Sequence, residues 1–569
     1  LIVTGLIILV VIIMGITALI NKYTPTKKTE DLKEYFNISS DDEAALIVDN
    51  ELSDYKAKII DKKIYVDYKF VHDSLNSRFY WDANENVLLY TTASDIISAA
   101  ADSNSYSVTK QTNDFGYPIV KATSDSALIA LDYVKQYSNI TFKSYDDPAR
   151  IVITSKWDEI DSATVSKSTQ IRVKGGIKSP ILKEVKKDDK ITILDSGDKW
   201  DKVATEDGVI GYIKRKALSE SKKTKLTNPD YEEETFTHIK KDKDICLAWN
   251  QVTSQSANSK VPQVISSTKG INVMSPTWFY LNDNNGNLAD IASKDYVSYC
   301  HSQGIEVWGL FSNFENTDVD AAYVLTHTST RTTLINQIMS AAFNYELDGV
   351  NIDFENITEA AYGDSYIEFI RELAIKCHNN GISLSVDVTV PASFNKFFNR
   401  SDMANFADYI VIMGYDEHYK GSDAGSVSSI PWVTEGVEST LKEVPADQII
   451  LGMPFYTRIW ELTPKEDDDA VTDTEDQSKY TVASQVYSMD AAAAQLATNN
   501  ATAALDEESG QNYAEWSVSN KLYKVWLEDS TSLEKRLKLV DDNKLAGAAF
   551  WKLGFENSSV WDTVIKYLN

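Results

Sequence analysis

Three polar side chains on one short apolar stretch carry the chemistry of this chain. From Val350 onward apolar and polar residues alternate, so Asn351, Asp353 and Glu355 share one face of a strand, and Val350, Ile352 and Phe354 share the other. Asp348 and Gly349 form a tight turn ahead of it. Carboxylates on a buried face are costly, because an unpaired buried charge costs several kcal/mol. Neighbouring carboxylates also repel, and one of them then keeps its proton to a higher pH than usual. That is the requirement for general acid catalysis.

An acid on a strand needs a scaffold. From 241 onward, strand-like runs alternate with helical stretches in the manner of a (β/α)8 barrel. The expected strands are 245–251, 271–279, 306–312, 349–355, 383–389, 409–415, 449–456 and 547–553. In this architecture the reactive groups sit at the C-terminal strand ends, and Glu355 falls at the fourth.

The spacing of Asp348, Asn351, Asp353 and Glu355 resembles the D-x-x-D-x-D-x-E signature of glycoside hydrolase family 18, with Asn351 where the second Asp usually stands. Other strand ends agree. Met413-Gly414-Tyr415-Asp416 resembles the family's Met-x-Tyr-Asp segment, and Gly452-Met453-Pro454-Phe455-Tyr456 its seventh strand. Gly547 to Gly554 resembles its last strand, whose Trp, here Trp551, floors the sugar pocket. Segment 275–279 with Trp278, together with Asn313 and segment 551–556, is most similar to the spore-cortex-lytic N-acetylglucosaminidase branch. The resemblance covers about three-fifths of the chain and makes peptidoglycan a better substrate expectation than chitin.

The resemblance implies a substrate-assisted retaining glycosidase, an exception to the two-carboxylate scheme. Glu355 would protonate the leaving oxygen, Asp353 would orient the substrate's acetamido N–H, and Tyr415 would hold its carbonyl oxygen. Trp551, Asp348, Asn351, Met413, Asp416, Trp278, Asn313 and Tyr456 are the expected substrate-binding set. Asn351 cannot carry charge, so less repulsion on Asp353, a lower pKa there and a shifted acid limb are expected. A chitinase is the rival enzyme, and a non-catalytic wall-glycan-binding scaffold is the rival from another class. Relatives that act as lectins usually lack the final Glu, whereas Glu355 is present.

The 569 residues imply several domains, and a formal net charge of −28 argues against nucleic acid as partner. Residues 1–20 hold no charge and match the length of a membrane span. A signal peptide is the competing reading, and 17–22 offers it a poor cleavage site. The expected topology is single-pass, with the bulk of the chain facing a Gram-positive cell wall. Segment 21–33 is read as a linker.

Segment 34–157 contains two echoing strand–turn–strand units, 79–92 and 142–155, the second preceded by an expected helix at 126–136. It is similar to the N-terminal stalk of copper amine oxidases, with no copper implied. Segment 165–218, a run of short strands split by turns, resembles a bacterial Src-homology-3-type domain, either wall-binding or a spacer. A linker is expected at 219–240, and the catalytic barrel at 241–569. The long 458–546 stretch is expected to hold an inserted lid, and 523–539 the final helix. Cys246, Cys300 and Cys377 show neither metal nor disulfide spacing, and the acidic run 466–469 reads as a solvated loop. No metal or cofactor is expected.

Overall fold

The computed structural model describes residues 2–355, 357, 360–465 and 476–568. The chain forms two compact units, one of residues 1–90 and 97–234, the other of residues 91–96 and 235–569.

The first unit opens on helix Ile2–Tyr23, which is apolar and long enough to cross a membrane and has no buried residue. A seven-stranded sheet follows, ordered Thr141–Tyr145, Arg150–Thr154, Glu43–Val48, Glu51–Ile60, Lys63–Asp67, Ala127–Ala130 and Val120–Ala122. The two echoing units are longer than the sequence indicated. Strand Lys63–Asp67, helix Tyr68–Ser74 and hairpin Phe79–Asp82/Val87–Thr91 match strand Ala127–Ala130, helix Leu131–Tyr137 and hairpin Thr141–Tyr145/Arg150–Thr154. Their leading strands pair antiparallel, Ile129 opposite Val66. The helix expected at 126–136 therefore starts later. Ala127 and Ile129 alternate into the core and serve as strand.

The expected 165–218 domain is also larger. Its seven-stranded sheet runs Ile181–Val185, Thr169–Arg172, Ile210–Lys214, Trp200–Thr205, Lys190–Asp195, Glu159–Thr164 and Lys222–Lys225. The last two strands lie outside the expected bounds, Lys222–Lys225 within the expected linker, because Glu159–Thr164 pairs on both edges and joins Lys222–Lys225 to the sheet. Nor are stalk and strand-rich domain independent. Phe36, Ala45 and Ile47 share one apolar core with Val165, Ile171, Val203 and Ile213. Arg150 seals the seam, pairing with the Asp207 carboxylate at 2.6 Å.

The second unit is the barrel. Eight parallel strands, Ile245–Asn250, Val273–Leu281, Glu306–Ser312, Gly349–Asp353, Ser383–Thr389, Tyr409–Met413, Ile449–Pro454 and Gly547–Trp551, pair in sequence order, and the first closes on the eighth. The expected strand starts hold to within two residues. Apolar faces turned outward pack under the helices, whereas Leu247, Trp249, Val273, Trp308, Leu310, Tyr409 and Val411 fill the interior. Trp308 stacks on Tyr409 at 5.6 Å. Gly349 makes room for it: a Cβ there would lie 2.6 Å from the Trp308 ring.

After the seventh strand comes an inserted antiparallel sheet, ordered Tyr480–Ser488, Tyr456–Pro464, Lys521–Leu527, Gln511–Val518 and Ala504–Asp506. Residues 523–527, expected as helix, belong to this sheet. The helix is Ser530–Asn543, whose start is fixed by the Asp529 carboxylate accepting from the N–H groups of Thr531 and Ser532. The acidic run 466–469 lies outside the described residues.

Candidate active site

At the C-terminal strand ends the barrel opens into a cleft of about 870 Å³. Its lining includes Trp249 from the first strand, Asp353 and Glu355 from the fourth, and Asp387 from the fifth. Met413, Tyr415 and Asp416 come from the sixth and Trp551 from the eighth.

Alternation along the fourth strand turns Asn351 and Asp353 inward. Asn351 is fully buried with its amide fully used. Its carbonyl oxygen accepts from Trp249 Nε1 at 2.9 Å and Ser275 Oγ at 3.0 Å. Its NH2 group donates to Asp387 Oδ1 at 2.7 Å and Ser385 Oγ at 3.0 Å. An indole N–H only donates, so the amide has one possible orientation.

Asp353 stands one step further up, 6 % exposed, with Oδ1 buried and without a hydrogen-bond partner among the described residues. Burial pushes its pKa well above the usual carboxylate range, and the charges of Asp387, Glu355 and Glu315 push the same way. The amide removes one charge from the strand, but Asp387 on the neighbouring strand brings another. Two such charges about 5 Å apart repel by ~3 kcal/mol at an effective dielectric of ~20.

Glu355 is at the exposed mouth. Desolvation first, then Asp416 and Glu315, raise its pKa. Its backbone N–H donates to Asn313 Oδ1 at 3.0 Å, which anchors the strand end. A carboxyl with a raised pKa at a cleft mouth fits general acid chemistry. Tyr415 holds its phenol proton firmly, because burial, Asp353 and Asp387 all push its pKa up. It is therefore a hydrogen-bond donor to whatever occupies the cleft. Tyr456 does not line the cleft but donates to Asp416 Oδ1 at 2.6 Å, fixing that carboxylate on the rim.

Asn351, Asn313 and Tyr456 do not line the cleft but hold residues that do, and two more expected binding residues are elsewhere. Asp348 is at the opposite, N-terminal end of the strand, where its Oδ2 accepts from the Val307 N–H and pairs with His301, both at 2.8 Å. It splices neighbouring elements. Trp278 is wholly buried among apolar residues, its Nε1 donating to Asn258 at 2.8 Å and its ring edge-on to Tyr296. The second strand turns its side chain outward, under the helices, so it is core.

Asp387, Glu315 and the rim aromatics Phe314, Phe394, Tyr419 and Trp432 were not singled out from the sequence. Asp387 carried the same signal as Asn351: Ser383, Ser385 and Asp387 alternate with Leu384, Val386 and Val388. Phe314 and Tyr419 lie on irregular loops, which have no period to betray them, and Phe394 and Trp432 stand in the first turns of helical segments Ser393–Phe398 and Ile430–Thr440. The insertion, expected as a lid, lines none of the cleft among the described residues. It braces the loop that carries Asp416 and Tyr419 through Trp460 Nε1 to the Gly425 carbonyl at 2.8 Å, and Arg536 of helix Ser530–Asn543 adds a bond to the Ser428 carbonyl at 2.7 Å.

Known proteins resemble this chain over its barrel. The family model "Glycosyl hydrolases family 18" matches residues 313–556. The chain is 24% identical over 302 residues to "Uncharacterized glycosylase YvbX" of Bacillus subtilis, covering 50% of this chain and 81% of the relative. It is 24% identical over 287 residues to the "Cortical fragment-lytic enzyme" of the same organism, covering 49% of this chain and 63% of the relative. The crystal structure of the Bacillus cereus spore cortex-lytic enzyme SleL superposes with a TM-score of 0.50 at 18% identity, covering 57% of this chain and 74% of that one. At that identity the likeness shows the fold alone. The chain carries a family 18 glycosyl hydrolase domain.

Proposed function

We propose that the chain is a membrane-anchored glycosidase that cleaves β-1,4 bonds of N-acetylglucosamine-containing wall glycan with retention, the substrate's acetamido group acting as nucleophile. The observation that carries this reading is the placement in one cleft of an accessible acid, Glu355, and a buried acid one alternation below it, Asp353, with burial and neighbouring carboxylates raising the pKa of each. Glu355 donates its proton to the leaving glycosidic oxygen and later takes one from water. Asp353 accepts from the acetamido N–H and offsets the positive charge that develops there. Tyr415 donates to the acetamido carbonyl oxygen and holds it for attack. Trp551 and Trp249, 5.9 Å apart and edge-to-face, offer the aromatic floor on which a pyranose C–H face packs.

The name of the cortex-lytic relative favours peptidoglycan over chitin. Helix Ile2–Tyr23 supplies the anchor, with the remainder of the chain outside the membrane. The test is product analysis by mass spectrometry of the full chain in detergent on peptidoglycan, spore cortex and chitin oligomers, with Glu355→Gln as control. Cleavage after N-acetylglucosamine in wall material, lost in the variant, supports the reading. Cleavage of chitin alone makes the protein a chitinase. Glycan binding without variant-sensitive cleavage makes the barrel a receptor and overturns the proposal.

A further inference from the structure

Asp387 is the unexplained group of the barrel interior. It is 3 % exposed, yet it belongs to a strand whose other buried residues are apolar or hydroxylic. The register of the fourth and fifth strands pairs Asn351 with Ser385 and Ile352 with Val386. The next residues in that parallel register are Asp353 and Asp387, two buried carboxyls side by side.

The groups facing them are all acidic, phenolic or neutral. Glu355 and Asn351 come from the fourth strand, Glu315 from the loop after the third and Tyr415 from the sixth. Tyr366 reaches in from helix Ala360–His378. No Lys, Arg or His lines the cleft among the described residues. Burial without a cation leaves a proton as the available means of neutralising one charge of the pair. The Asn351 NH2 group only donates, so Asp387 Oδ1 is an acceptor and carries no proton itself. The bond from Asn351 takes Oδ1 of Asp387 and not Oδ2, and Oδ1 of Asp353 has no partner among the described residues.

We propose that Asp387 is a positioning residue that shares a single proton with Asp353, so that the neighbouring strand supplies the second carboxyl that Asn351 does not provide. The pair then carries one negative charge, and Asn351 is the clamp that fixes which Asp387 oxygen stays bare. Asp387 acts through Asp353, setting its protonation and orientation. The role deepens the glycosidase reading and rests on it, but the proton itself is observable without substrate.

The test is infrared difference spectroscopy of the full chain, with aspartate labelled at the side-chain carboxyl, following the protonated-carboxyl band across pH. Wild type should keep one buried protonated Asp at neutral pH. Asp387→Asn should move the midpoint of that band down by about one pH unit or more, since the repelling neighbour is gone. Asn351→Asp combined with Asp387→Asn should restore the midpoint, because a carboxyl again sits two residues from Asp353 on its own face. Should Asp387→Asn fail to fold, Asp387→Ser keeps an acceptor for the Asn351 amide and removes the acid. A midpoint unchanged in a folded variant overturns the shared proton, since burial alone would then hold it on Asp353. Failure of Glu355→Gln to abolish cleavage would instead overturn the glycosidase reading and leave this spectrum as it is.

Discussion

The side-chain carbonyl of Asn313 accepts the backbone N–H of Glu355 at 3.0 Å, so the end of the third barrel strand holds the acid at the end of the fourth. Asn313 is buried and its own NH2 group has no partner among the described residues. It touches Glu355 through the main chain, leaving the carboxyl free to meet a substrate. Asn313→Ala should lower kcat by roughly 10–100-fold through misplacement of the acid. The melting temperature should shift little, by ~1 kcal/mol of lost hydrogen bonding. Loss of stability without loss of kcat would disprove the positional role.

Asp353 links activity to stability with a definite sign. Its pKa is raised in the folded state, so the native protein binds more protons than the unfolded chain over the interval between the two values. Stability is full below the unfolded pKa and falls as pH rises through the folded one. Asp353→Asn removes that loss. The variant should melt at about the wild-type temperature near pH 4 and several degrees higher near pH 8, while being close to inactive. Calorimetry at the two pH values checks it, and a variant less stable at both would refute the assignment.

Arg536 and Glu528 form a buried ion pair beneath the insertion, their side chains 1% and 0% exposed. Burial pushes Glu528 up to about 7 against the pull of Arg536. Arg536→Leu strands the carboxylate and frees the Ser428 carbonyl, so the expected loss is about 3–5 kcal/mol at pH 8. The loss should be smaller near pH 5, where Glu528 folds protonated. Denaturant titrations at both values measure it.

Trp460 tests whether the insertion serves the cleft by bracing a rim loop. Trp460→Phe keeps the apolar body but leaves the Gly425 carbonyl without its indole donor. The expected cost is ~1 kcal/mol of stability and a several-fold rise in KM, with kcat nearly unchanged, since Tyr419 and Asp416 sit on that loop and Glu355 does not. An equal fall in kcat would place the insertion closer to the chemistry.

In the first unit, Gly208 has φ +83° and a Cβ there would lie 2.9 Å from Val152 and 3.1 Å from Ile47. Gly208→Val should therefore loosen the seam between the two parts that share the Phe36–Ile213 core. We expect wild type to unfold this unit in one transition and the variant to give two, read by hydrogen exchange.

What the sequence determined was set by periodicity. A two-residue alternation carries its own inside and outside, so the eight barrel strands and the inward set Asn351, Asp353 and Glu355 were legible from residue order alone. So was the apolar N-terminal helix, because its length and lack of charge need no partner to be recognised. Tertiary structure decided what depends on neighbours distant in sequence. Asp348 and Trp278 share the barrel with the cleft residues, yet one lies at the far strand end and the other faces outward into the helices. The strand at Lys521–Leu527 formed where a helix was expected, because Tyr456–Pro464 and Gln511–Val518 pair on both its edges. Burial first, and then the charge of Asp387 on the fifth strand, thirty-four residues further along the chain, raise the pKa of Asp353. Electrostatic energy depends on distance in space, and strand pairing sets that distance.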